Sequence, residues 1–159
     1  MKERELAVIE ASTPRRLIGV GSMMGLGAML LYLALTSPPA NIFWHMFLMA
    51  MGGGSLVLGQ FTWRATGEAL ILTETELRER SGTVLARLDD VERVERGMFA
   101  MKPSNGFNLV LRQSGARVWR PGLWWRLGRK VAVGGVTSGS QTRPVADIIQ
   151  LKIQERAGR

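Results

Sequence analysis

Cysteine is absent from the 159 residues, and histidine occurs once, at position 45. The first absence excludes disulfides, thiolate metal sites and cysteine nucleophiles. The second leaves the polar part of the chain without an imidazole, so acid/base chemistry there would rest on carboxylates or lysine alone. Charge is missing from two long blocks as well. No Asp, Glu, Lys or Arg stands between Leu17 and Thr36, or between Ile42 and Trp63, and the second block holds only His45 and Gln60 as strongly polar groups.

At about 1.5 Å rise per residue, each block is long enough as a helix for the roughly 30 Å hydrocarbon core of a bilayer. A cleaved secretory signal would have an apolar run of about 7 to 15 residues and a small-x-small site; here the run is longer and a second follows it closely. The intervening Ser37-Pro38-Pro39-Ala40-Asn41 stops one helix and forces an antiparallel neighbour. The expectation is a transmembrane hairpin over residues 17–63.

Basic residues orient it. Lys2, Arg4, Arg15 and Arg16 precede the first span, Arg64 follows the second, and the turn between them is uncharged. Both termini are therefore expected in the cytoplasm, with the chain multi-pass in the cytoplasmic membrane. Phe43 and Trp44 mark one interface, Phe61 and Trp63 the other. Gly21 and Gly25, in Gly21-Ser-Met-Met-Gly25, and Gly52 and Gly53 are the expected helix-packing positions, against each other or against another membrane protein or a second copy. His45 reads as a water-contacting interfacial residue rather than a haem ligand, and the methionines as packing side chains. Neither a cofactor nor a metal is expected.

Residues 1–16 form a short cytoplasmic tail in this scheme, and residues 64–159 one soluble domain. That domain holds 17 Lys/Arg against 10 Asp/Glu. Free in water, such a balance would point to nucleic acid; on a membrane tether it points to the anionic leaflet, and nucleic acid is not the expected partner.

Short β-prone runs fill the domain: 69–73, 76–80, 83–87, 92–102, 107–112, 116–119 and 130–133. Ser81-Gly82, Pro103-Ser-Asn-Gly106 and Gln113-Ser-Gly115 supply turns. Leu88 to Val91 reads as a break or a single helical turn, with Asp89 as its cap. A last helix starts near Pro144, with Val145, Ile149 and Ile153 on one stripe beside Ala146 and Ile148, Asp147 towards its start, and Lys152 and Arg156 towards its end. The fold class expected is a membrane α-helical hairpin plus an α+β domain, a small antiparallel barrel or sandwich of about seven strands capped by one C-terminal helix.

That pattern resembles the bacterial pleckstrin-homology-like membrane proteins. The resemblance rests on Leu70-Ile-Leu-Thr-Glu-Thr-Glu-Leu77, on Gly82-Thr-Val-Leu-Ala-Arg-Leu-Asp-Asp-Val91 and on the position of the final helix, and covers roughly residues 68–157. It implies a non-enzymatic interaction module and brings no catalytic residue. The stretch from Arg120 to Arg129 departs from the pattern.

That stretch lies in the densest functional signal of the domain, Arg117-Val-Trp-Arg-Pro-Gly-Leu-Trp-Trp-Arg-Leu-Gly-Arg-Lys130. Trp119, Trp124 and Trp125 stand among Arg117, Arg120, Arg126, Arg129 and Lys130, and Pro121-Gly122 and Gly128 argue against a long regular strand. Indole rings favour the headgroup layer, and each basic residue near an anionic leaflet contributes about 1 kcal/mol. A membrane-lying loop facing acidic headgroups or a partner protein is expected, in place of Trp119 in a strand core with solvated arginines. The chain as a whole reads as a membrane-anchored, non-catalytic interaction module: a scaffold, assembly factor or accessory subunit. The alternative is a small membrane enzyme acting on a lipid or polar substrate through Asp89 and Asp90, the one adjacent carboxylate pair.

Overall fold

In the computed structural model, which describes residues 4–96 and 103–158, the uncharged blocks are helices: α1 over Thr13–Thr36 and α2 over Ile42–Ala65. Both are long and apolar enough to cross a membrane. Each extends beyond its uncharged block, α1 beginning four residues before Leu17 because Thr13-Pro14 starts a helix well. Thr13–Arg64 form one unit, and the segments on either side of it form the other.

Within the helical unit the buried positions of α1 are Val20, Gly27 and Ala34, a seven-residue repeat. Gly52 and Gly59 answer it from α2. A Cβ on Gly27 would lie 2.9 Å from the Gly52 carbonyl oxygen, and one on Gly52 would lie 2.8 Å from Leu31. Ser55 Oγ donates to the Met23 carbonyl at 2.9 Å across the same contact. Gly21, Gly25 and Gly53, expected at the packing seam, have open space where a side chain would be. The helical period explains why they stand off the seam between α1 and α2: at about 100° per residue, Gly25 stands nearly opposite Gly27, and Gly53 a quarter-turn from Gly52. Where the helices open, the Arg16 guanidinium lies 3.8 Å over the Trp63 ring and donates to the Trp63 carbonyl at 2.8 Å.

The other unit contains two antiparallel sheets. The first runs in the order β1 (Ala7–Ile9), β2 (Leu70–Leu72), β3 (Glu76–Glu79), β4 (Val84–Arg87), and the second in the order β5 (Val91–Glu95), β6 (Phe107–Arg120), β7 (Trp124–Val133). Strand β1 corrects the sequence expectation of a simple N-terminal tail. It pairs with β2 so that Ile9 stands opposite Leu70, and Ile9 is fully buried. The expected strand 92–102 is observed over 91–95; residues 97–102 lie outside those described.

The second departure is larger. Gln113-Ser-Gly115 does not turn the chain: β6 continues through it as one strand of 14 residues, with register shifts on both sides of Gly115. Leu88–Asp90 form one 3-10 turn, as the sequence suggested, but no side chain caps it, and Asp89 instead pairs with Arg156 at 2.9 Å. The final helix α3 spans Gly139–Ala157, five residues ahead of Pro144, because Ser138 caps it by accepting from the Ser140 N–H. Leu72, Leu77 and Leu85 from one sheet, Leu109 and Val131 from the other, and Val145 and Ile149 from α3 close one core.

Candidate functional site

Residues 117–130 form the far half of the β6–β7 hairpin, a regular structure in place of the expected loop. Pro121 and Gly122 make its turn: Pro121 supplies a preset φ, Gly122 takes φ +82°, and the Leu123 N–H closes onto the Arg120 carbonyl at 3.1 Å, the pattern of a type II turn. Gly128, at φ +59°, bends β7 instead of ending it.

The bend is large. Ten residues of straight strand would span about 33 Å, yet the Gly134 N–H donates to the Leu123 carbonyl at 2.9 Å and the Val136 N–H to the Gly122 carbonyl at 3.0 Å. The hairpin curls until its tip rests on the residues that leave its base. Gly135 permits this approach, since a Cβ there would lie 2.6 Å from the Gly122 carbonyl oxygen.

Strand alternation then sorts the side chains. Trp119 stands opposite Trp125 and Arg120 opposite Trp124, so the two pairs face opposite sides of the ribbon. Trp124 is 1% exposed; its Nε1–H donates to Glu79 Oε1 at 2.7 Å, and Arg120 Nε donates to the same oxygen at 3.1 Å. Ser81 Oγ donates to Glu79 Oε2 at 3.1 Å. Burial alone would raise the Glu79 pKa, but the hydrogen bonds from Trp124 and Arg120, the Arg120 charge and the Ser81 hydroxyl outweigh it and hold the carboxyl below the ordinary glutamate value.

Arg126 also faces inward: its guanidinium donates to the Leu85 carbonyl and fills the space that Gly115 leaves empty. Arg129 donates to the Leu111 carbonyl at 2.7 Å and to Glu92 at 2.6 Å. Four of the eight residues singled out from sequence are thus engaged in the domain's own structure: Arg120, Trp124, Arg126 and Arg129. The remaining four, Arg117, Trp119, Trp125 and Lys130, lie on accessible surface, with Trp119 61% exposed. Among the described residues neither Arg117 nor Lys130 has a hydrogen-bond or ion-pair partner.

Between the tip and the base of the curled hairpin lies a groove of about 690 Å³, lined by Trp119, Pro121, Leu123, Trp125, Leu127 and Lys130 among others. Leu127, 51% exposed, was not singled out from sequence, nor was Glu79. Alternation could have found Glu79: it falls on the same face of β3 as the core residue Leu77, and an inward carboxylate must be given donors. Leu127 lacks such a signal, because its surroundings depend on the curl.

The carboxylate pair is occupied elsewhere. Asp89 pairs with Arg156, and Asp90 Oδ1 accepts the Gln113 N–H at 3.1 Å. Among the described residues no group of three or more His, Asp or Glu side chains is placed to hold a metal ion. Comparison of the chain with protein-family models, with curated proteins and with solved structures finds no match.

Proposed function

We propose that this chain is a membrane-anchored, non-catalytic interaction module. Its two apolar helices cross a bacterial inner membrane as a hairpin with both termini cytoplasmic. Its β domain, of the bacterial pleckstrin-homology-like type, lies at the cytoplasmic face and engages lipid or an adjoining membrane complex as a scaffold, assembly factor or accessory subunit.

The pairing of β1 with β2 carries the topology. Ile9 precedes α1 and Leu70 follows α2, and the two stand opposite one another in a single sheet. Strands hydrogen-bonded to each other share one side of a bilayer, so a chain that leaves the sheet after Ile9 and returns to it at Leu70 must cross an even number of times. Two spans satisfy this. The basic residues beside the spans, Arg15, Arg16 and Arg64, then favour the cytoplasmic side for the shared end. The interaction role is supported by the hairpin surface, where exposed Trp119 and Leu127 and half-buried Trp125 stand near Arg117 and Lys130, cations without a partner among the described residues.

The test has two parts. Alkaline carbonate should leave the protein in vesicles, and a C-terminal reporter should be cytoplasmic; release by carbonate or a periplasmic reporter overturns the topology. Solubilised in mild detergent, the protein should carry a membrane partner or a lipid with it, and recovery as a bare monomer with no lipid preference overturns the role.

A further inference from the structure

The groove of the curled hairpin has a chemical character that the other depressions of the β domain lack. Its floor and walls are Trp119, Pro121, Leu123, Trp125 and Leu127, and among the described residues the charged side chains lining it are Arg120 and Lys130, with no carboxylate. The depressions beside Asp89 and Asp90, and beside Glu74 and Glu155, mix both signs, and the one lined by Arg96 and Arg143 has cations without a carboxylate but no indole ring. Arg120 Nε is bound to Glu79, which leaves Lys130, among the described residues lining the groove, as the cation without a protein partner. An occupant must therefore have an apolar body and carry an anion, and at about 690 Å³ the groove is within the size range of small-molecule sites.

Peptides and lipids both meet that description, and at the base of the groove the backbone favours the lipid. A peptide laid in a groove normally adds main-chain hydrogen bonds to an open edge. Here the Gly134 N–H is bound to Leu123, the Gly135 N–H to Ser104 and the Val136 N–H to Gly122, so these backbone donors are already used. A lipid needs no such donors, only apolar contact and a cation for its phosphate, and indole rings suit the layer where chain meets headgroup. Resting on the membrane-anchored reading above, we propose that this groove binds one anionic phospholipid, its phosphate at Lys130 and an acyl chain along Trp119, Trp125 and Leu127.

The full-length protein in a non-ionic detergent is titrated with dihexanoyl phosphatidylglycerol, and tryptophan emission is recorded. A saturable response is expected, about fivefold weaker for Lys130→Gln, as the loss of one cation near a phosphate implies, and abolished by Leu127→Glu. Dihexanoyl phosphatidylcholine should bind at least several-fold more weakly. Arg143→Gln, which removes an exposed cation that does not line the groove, should leave the titration unchanged.

Equal weakening by Arg143→Gln would reveal diffuse attraction to charge and overturn the site. So would equal affinity for the two lipids, or full competition by inorganic phosphate. A protein that co-purifies with the wild type and is lost with Lys130→Gln, in the absence of any saturable lipid response, would assign the groove to a polypeptide. Failure of lipid binding with the protein still resistant to carbonate removes this inference alone, whereas release by carbonate removes the membrane reading beneath it.

Discussion

The indole N–H of Trp124 points at a carboxylate oxygen of Glu79, 2.7 Å away and 45 residues distant in sequence. It ties the tip of one sheet's hairpin to the central region of the other sheet, and both side chains are almost wholly buried. A charge in that position is tolerated because Trp124, Arg120 and Ser81 all donate to it. Truncating it as Glu79→Ala strands the indole donor and takes the partner from Arg120, which can still reach solvent, and about 1–3 kcal/mol of stability should be lost. Thermal unfolding of the detergent-solubilised protein, followed by tryptophan emission, measures this; a loss below about 1 kcal/mol would show the cluster to be dispensable.

The same cluster makes a pH prediction whose sign is fixed. Glu79 is held below the ordinary glutamate value of 4.5 in the folded chain, so on acidification the unfolded chain takes up the proton first. The contribution of Glu79 is fully present above about pH 4.5 and shrinks as pH falls from there through the folded value. Melting curves of the wild type and of Glu79→Gln, compared across this range, should converge towards acid. A stability difference that stays constant below pH 4.5 would contradict the lowered pKa.

Two tryptophans that look alike in sequence should behave in opposite ways. Trp124→Phe keeps most of the packing but leaves Glu79 short of a donor, at a cost of about 1–3 kcal/mol. Trp119→Ser removes a ring that is 61% exposed, with little effect on stability expected and a clear loss of lipid or partner binding. Melting temperature and binding, measured on both variants, should separate along these lines, and a destabilised Trp119→Ser with normal binding would reverse the assignment.

How far the sequence discloses this fold depends on the distance over which each feature is decided. The two helices follow from local absence of charge, and α3 from a stripe in which Val145 and Ile149 are indeed buried. Features settled by distant partners were hidden. Ala7–Ile9 is three residues in a charged neighbourhood, and only its pairing with Leu70–Leu72, some sixty residues on, makes it a strand. Gln113-Ser-Gly115 has the composition of a turn, but here it carries a bulge that lets β6 curl. Trp124 and Trp125 are adjacent and alike in sequence, and strand alternation buries one and leaves the other half exposed.

The helix pair gives a prediction of the same contrasting kind. Gly52→Leu inserts a side chain where Leu31 and the Gly27 carbonyl already stand within about 3 Å, and should separate α1 from α2. Gly25→Leu meets nothing within 4 Å and should leave the pair intact. Cysteines introduced at Met23 and Ser55, bridged by a short bifunctional reagent in membranes, should crosslink in the second variant and fail in the first. If Gly25→Leu abolished crosslinking instead, the seam would run along the other face of α1.

Gly135 provides the sharpest test of the curled hairpin. Its φ of +127° lies where side chains are rarely tolerated, and a Cβ would approach the Gly122 carbonyl oxygen to 2.6 Å, against backbone that cannot rotate away. Gly82 has a comparable φ of +104° but open space around it. Gly82→Ala should therefore show backbone strain alone, about 1 kcal/mol. Gly135→Ala adds the clash, costs about 2–3 kcal/mol or more, and pushes the hairpin tip off the residues after β7, opening the groove. The difference between the two variants in melting temperature isolates the steric part, and loss of the phosphatidylglycerol response in Gly135→Ala alone would tie ligand binding to the curl. Equal behaviour of the two alanine variants would mean that the tip does not need to close on its base.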